Sequence, residues 1–208
     1  MARKKTTAAK RRTQAERSEA TSAALVTAAR PLFGKRGYAG VGTEEIVRAA
    51  GVTRGALYHQ FPGGKRDLFE AVYEAVEADL TARVVADAGR AGDPLGEMRA
   101  GASLFLEASL EPDVQRIVLL DGPAVLGWER WREIAAEYGL GVITAVITAA
   151  IEAGQIPSQA PEPLAHLLMG ALDEAAMFVA RAEDQRGALA EMTEALSRML
   201  DGLEARGR

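Results

Sequence analysis

The chain has 208 residues, 48% hydrophobic and 26% charged, a length and balance suited to one folded domain or two small ones. It has no cysteine, which excludes disulfides, thiolate metal sites and a cysteine nucleophile. Its two histidines, His59 and His166, lie too far apart in sequence to suggest a conventional metal centre.

Residues 1–14 (MARKKTTAAKRRTQ) are basic and lack periodic apolar positions, so a disordered arm is expected there. No apolar stretch follows this basic start, so it does not read as a secretory signal. A helix is predicted from Glu16 to Arg36, with Leu25, Ala28, Ala29, Leu32 and Phe33 on one face. Pro31 inside it should kink the helix or remove a hydrogen bond. Thr43 is the expected N-cap of a short second helix, with Glu44 and Glu45 in its first turn and Ile46, Ala49 and Ala50 on its apolar face. Gly51 ends it. Thr53 caps a third helix that turns Leu57 and Phe61 inward, and Pro62-Gly63-Gly64 breaks it. A long helix is expected from about Lys65 to Ala88.

Further helices are expected from Asp93-Pro94 to Leu110, and from Pro112-Asp113 to Leu120. Asp121-Gly122-Pro123 reads as a break. A long helix from Gly127 to Ala153 follows, then a linker over Pro157–Pro163 and two last helices, about Glu162–Ala182 and Gly187–Leu203. The longest uncharged run, Tyr138–Ile151, is shorter than the roughly 20 residues that span a bilayer, so a buried helix and a cytoplasmic protein without membrane partners are expected. No segment alternates as a strand does. The fold class is all-α.

The charge is unevenly placed. Residues 1–66 carry 14 Lys/Arg against four acids, a net +10, and residues 67–208 carry 11 against 25, a net −14. A basic head on an acidic body suits a polyanionic partner, although a merely solubilising arm would look similar. Thr43–Phe61 (TEEIVRAAGVTRGALYHQF) has the layout of a helix-turn-helix, two short helices about a glycine turn. The exposed face of the second helix would be Thr53, Arg54, Gly55, Tyr58 and His59. Arg54 can donate a bidentate pair to guanine, and Gly55 lets backbone and duplex approach closely. Thr43 and Lys65 stand at helix N-termini suited to phosphate.

Residues 16–80 resemble the DNA-binding domain of the TetR family of regulators. The resemblance rests on Leu32-Phe33 with Gly37-Tyr38, Thr43-Glu44-Glu45-Ile46, Ala49-Ala50-Gly51-Val52, Gly55-Ala56-Leu57-Tyr58, Phe61-Pro62, and Lys65 three before Leu68. It implies a three-helix helix-turn-helix domain followed by a helical bundle of about six helices. It also implies a homodimer that binds a palindromic operator on double-stranded DNA and releases it when a small-molecule effector binds. By position it makes Thr43, Thr53, Arg54, Gly55, Tyr58, His59 and Lys65 the DNA contacts. The Pro62-Gly63-Gly64 turn is one residue longer than the common family form, and Val47 stands where many members have alanine. The expected organisation is an arm over 1–14, a DNA-binding domain over 15–64, and a sensing and dimerising domain over 65–208.

In that last domain the final two helices carry the expected dimer face: Leu168, Leu172, Ala175, Phe178, Met192, Leu196, Met199 and Leu203. Leu167 and Ala171 belong to the same apolar stretch. Candidate ligand contacts are Met98, Phe105, Ser109, Trp128, Trp131, His166 and Met169, with Asp173 as a further polar anchor, for an apolar or aromatic effector. These positions would serve equally as plain core. No cofactor and no metal are expected. Nothing resembles a phosphate loop, a Ser-His-Asp group or HExxH, so an enzyme is disfavoured. An architectural DNA-binding protein without ligand control, or an activator in place of a repressor, stays open.

Overall fold

The computed structural model describes residues 13–204, and every regular element among them is helical. Residues 1–12, which hold the cations of the basic arm, lie outside the described residues. The first helix, α1 (Gln14–Arg36), begins inside the segment expected to be arm, because Thr13 and Glu16 close a reciprocal capping box. The Thr13 hydroxyl accepts from the Glu16 amide at 3.2 Å, and the Glu16 carboxylate accepts from the Thr13 amide at 2.7 Å. Pro31 does not end α1, which continues to Arg36.

The next elements are α2 (Thr43–Ala50), α3 (Arg54–Gln60) and α4 (Lys65–Ala88). The α2 cap is Gly42, not Thr43, which takes the first helical position. Its inward face is Ile46 with Val47, while Ala49 is exposed, so the valine noted at that position is a core residue. The helix axis is thereby rotated from the expected face. Leu25, Phe33, Ile46, Leu57, Leu68 and Phe69 are fully buried together. Phe33, Tyr38 and Phe69 meet edge to face or tilted, with ring centroids 5.2–6.0 Å apart.

Beyond α4 come α5 (Pro94–Ala108), a π-helical segment (Val114–Asp121), α6 (Gly122–Leu126) and α7 (Trp128–Ala135). A π-helical turn (Ala136–Leu140) joins α7 to α8 (Gly141–Glu152), and α9 (Pro161–Arg181) and α10 (Gln185–Asp201) are the last helices among the described residues. Asp121-Gly122-Pro123 does not break the chain. Gly122 keeps helical dihedrals, φ −50° and ψ −60°, and proline is tolerated in the first turn of α6. The break falls at Gly127, whose φ is +86°.

Trp128–Glu152 is a continuous 25-residue helical rod, and it and Pro161–Arg181 are long and apolar enough to cross a membrane by length and composition. Here both belong to the bundle: α8 packs on α5 and α9, and α10 packs on α5 and α9. The buried residues form a single connected cluster from Leu25 to Leu200, with α4 running through it. α4 packs on both α1 and α5, so one continuous helix joins the two halves.

Candidate nucleic-acid interface and ligand cavity

The turn between α2 and α3 is built at Gly51, in the left-handed conformation at φ +67° and ψ +28°. Its amide donates to the Arg48 carbonyl at 3.2 Å, and the Val52 amide donates to the Val47 carbonyl at 3.0 Å, which closes α2. Thr53 then caps α3 by accepting from the Ala56 amide at 3.2 Å. With Leu57 fully buried as the pivot, Thr53, Arg54, Gly55, Tyr58 and His59 all face solvent. The five residues read from the sequence therefore lie on one exposed surface.

Arg54 is preset on that surface. Its guanidinium lies 3.1 Å from the Glu44 carboxylate and 5.6 Å from the centre of the Tyr58 ring. The exposed pair with Glu44 is weak enough to exchange for a base edge or phosphate. Tyr58 is held from behind by Gly64, whose φ is +68°, and a Cβ there would sit 2.9 Å from the ring. Thr43 is half-buried at the start of α2. Lys65 is committed internally: Nζ donates to the carbonyls of Tyr38 and Val41, each at 3.0 Å, and lies 4.0 Å above the Tyr38 ring. At most one of its three N–H bonds is left for a phosphate.

A cavity of about 160 Å³ opens between α4, α5, the α7–α8 rod and α9. Met98, Phe105, Trp131 and Met169 line it, as expected from their residue types. Ser109, Trp128 and His166 do not. Ser109 is fully buried elsewhere and returns its hydroxyl to the Leu106 carbonyl at 2.6 Å. Trp128 is 62% exposed and stacks on Trp131 from outside, centroids 5.0 Å apart, and His166 is exposed on the outer side of α9. Trp131 points the other way and donates its indole N–H to the Val118 carbonyl at 3.0 Å. The difference is one of helix rotation, which spacing alone leaves free.

Two buried carboxylates stand at the cavity wall. Asp173 is ion-paired with Arg132, and Glu77 accepts from the Tyr73 hydroxyl at 2.9 Å. Burial pushes the Glu77 carboxyl up to about 7, outweighing the Tyr73 hydrogen bond. Burial likewise raises Asp173 to about 6, overcoming the opposing pull of Arg132. The Tyr73 phenol is also raised, first by burial and then by the charge of Glu77. Glu77 escaped the sequence reading because a lone glutamate in a charged helix looks like a solvated one.

Polar contacts cross from this bundle to the helix-turn-helix. The Asp121 carboxylate accepts from the Tyr38 amide at 2.6 Å, and Asp113 pairs with Arg30 at 2.7 Å. Arg66 donates to the Val125 and Leu126 carbonyls, and Arg130 pairs with Glu70 at 2.7 Å. The π-helical segment and its cap Asp113 thus meet α1 at Arg30 and the turn after it at Tyr38, and the segment reaches the cavity through Val118.

On the dimer candidates, α9 and α10 divide. Leu168, Leu172, Ala175 and Leu196 are buried within the subunit, and Leu168 and Leu172 line the cavity. Phe178 and Met199 are exposed at 48% and 45%, and Met192 and Leu203 are half-buried. Leu167, next to the predicted Leu168, is 73% exposed.

Residues 25–72 match the family described as bacterial regulatory proteins, tetR family, and residues 95–203, more than half the chain, match the tetracyclin repressor-like C-terminal domain. The chain belongs to the TetR family. A TetR-family transcriptional regulator from Pectobacterium atrosepticum superposes with a TM-score of 0.83 and 37% identity, over 95% of this chain and 100% of that one. The TetC protein of transposon Tn10 from Escherichia coli is 29% identical over 164 residues, 76% of this chain and 79% of its own. The regulator AcrR of Shigella flexneri is 34% identical over 110 residues, 52% of this chain and 50% of its own. TetR-family membership makes the chain a ligand-responsive, DNA-binding transcription regulator and not an enzyme. The first family match covers the later part of α1 through the start of α4, and the second covers α5 to α10, residues of which line the cavity together with α4.

Proposed function

We propose that this TetR-family protein is a cytoplasmic repressor that binds a palindromic operator as a homodimer and is released by a small apolar or aromatic effector. The exposed α3 face supports this reading best. Thr53, Arg54, Gly55, Tyr58 and His59 are presented together, on a helix whose only fully buried side chain is Leu57. Arg54 and Tyr58 would read base edges or phosphate, and Thr43 and Lys65 would add backbone-directed contacts. The six arm cations, Arg3, Lys4, Lys5, Lys10, Arg11 and Arg12, would add salt-dependent affinity.

Homodimerisation is assigned to the outer faces of α9 and α10. Leu167, Ala171 and Phe178 recur at i, i+4 and i+11 on α9, beside Met192 and Met199 of α10. A two-fold pair places two α3 helices on successive major grooves. The effector would occupy the cavity, whose 160 Å³ is the size at which an engineered apolar cavity holds a benzene ring. Its occupancy would favour a spacing of the α3 helices that misses the operator, with α4 and the π-helical segment carrying the change.

Footprinting of the upstream region of the protein's own gene, at several salt concentrations, tests this reading. A symmetric protected site that persists as salt rises is the expected result. Protection without sequence preference, or none, overturns the reading in favour of an architectural protein or a different role.

A further inference from the structure

Glu77 has an unusual setting. Its residue is only 7% exposed, in the middle of α4 and at the wall of the cavity. The neighbouring wall is apolar, with Leu80, Phe105, Trp131, Val142 and Met169 around it. Among the described residues the Tyr73 hydroxyl is its one hydrogen-bond partner, and no arginine or lysine pairs with it. Asp173, the other buried carboxylate at the wall, is already matched by Arg132. An ionised carboxylate can accept about four hydrogen bonds, and a buried one without a counter-charge is costly. When ionised, Glu77 therefore gives the cavity a negative group whose balancing charge the described residues do not supply.

We propose that the cavity selects an organic cation: a ring-sized apolar body bearing one protonated amine, with the ammonium paired to the Glu77 carboxylate. This rests on the reading of the cavity as the effector site. A neutral apolar molecule would fill the volume and leave Glu77 uncompensated. An anion would meet the Glu77, Asp173 and Glu97 carboxylates against one arginine. An ammonium replaces the missing counter-charge in a water-poor site, where a charged hydrogen bond counts most. The aromatic walls, Phe105 and Trp131, add faces on which a cation is favoured.

The pH dependence has a defined sign. The groups facing Glu77 are Tyr73 on its own helix, Asp173 of α9 with Arg132 of α7, Tyr138 of the π-helical turn, and Glu97 of α5 at the cavity rim. Burial and the charge of Asp173 raise the Glu77 carboxyl to about 7. An ammonium binds its ionised form, so amine affinity falls as pH drops from 8 to 6 while the amine stays protonated.

Calorimetric titration of the full chain with benzylamine, benzyl alcohol and toluene, at pH 8 and pH 6, tests the proposal. The three probes share a ring and differ in the head group. Benzylamine should bind at least about tenfold more tightly than either neutral probe at pH 8, and lose several-fold at pH 6. In Glu77→Gln, checked for folding by its thermal transition, the preference and its pH dependence should both disappear. The wild-type pH profile is decisive even if that variant fails to fold. Equal or tighter binding of benzyl alcohol or toluene overturns the amine assignment and leaves the cavity standing as a neutral-ligand site. Binding of none of the three overturns the assignment together with the cavity's role. The operator footprint of the same preparation reports separately on the regulator.

Discussion

At the scale of single residues, Arg54 and Glu77 show how charge is used at opposite ends of the molecule. Arg54 is exposed and loosely paired with Glu44, so it can change partners at little cost. Arg54→Ala should weaken operator binding by about 1–3 kcal/mol and relax base preference at one position of each half-site. Competition titrations with operator variants measure both effects, and an unchanged preference would remove Arg54 from the reading surface. Glu77 is the reverse case, since its burial opposes ionisation.

Its raised carboxyl, about 7 when folded against an ordinary 4.5, means that the native state holds a proton which the unfolded chain releases between those values. Native stability should therefore fall as pH rises from about 4.5 to 7, by an amount on the order of 3 kcal/mol from this group. Glu77→Gln should flatten that part of the profile and leave the smaller slope due to Asp173, whose carboxyl is raised in the same direction. Denaturant titrations across pH 4–8 would show it. A profile identical to wild type would mean that Glu77 is ionised at little cost.

At the scale of elements, short-range chemistry decides where helices begin and end. The capping box at Thr13, the left-handed Gly51 and the Thr53 cap all act within four residues, and all are readable as motifs, although the Thr-x-x-Glu of the first was passed over within the basic arm. Gly51→Ala forces an L side chain to φ +67°, although no atom lies within 4 Å of the added methyl. The cost is conformational, about 1–2 kcal/mol, and should appear as a lower midpoint in thermal unfolding with operator affinity reduced in parallel. A neutral result would show that the turn relaxes to another geometry. The π-helical segment Val114–Asp121 behaves differently. Its winding is not announced by its residues, and the Tyr73 and Trp131 rings, each within 3.0 Å of a Cβ at the following Gly122, exclude any larger side chain there.

At the scale of the whole molecule, α4 lies in one connected core with both halves, so the helix-turn-helix and the cavity share one packed element. The proposed homodimer would pair through the side chains which that core leaves out. Leu167→Glu with Phe178→Glu places two charges on the outer face of α9, and both residues are well exposed in the subunit. The double variant should fold with near-native helicity and sediment as a monomer. It should also lose most of its operator affinity, since one head makes half the contacts. An unchanged dimer in analytical ultracentrifugation would move the interface elsewhere.

The all-α class, the helix-turn-helix and the surface of α3 were legible in the amino-acid order, because caps, turns and helical periodicity are set by neighbours a few positions apart. The rotation of each helix about its own axis was not. It turned Val47 inward and Ala49 outward, set Trp128 outside and Trp131 inside, and placed Leu168 and Leu172 on the cavity wall. Packing alone fixes that rotation, and it also brought Glu77 of α4 and Asp173 of α9 to one cavity from distant parts of the chain. Local chemistry determined that the protein has a helix-turn-helix with an exposed α3 face. Tertiary contact decided which buried charges stand at the cavity wall.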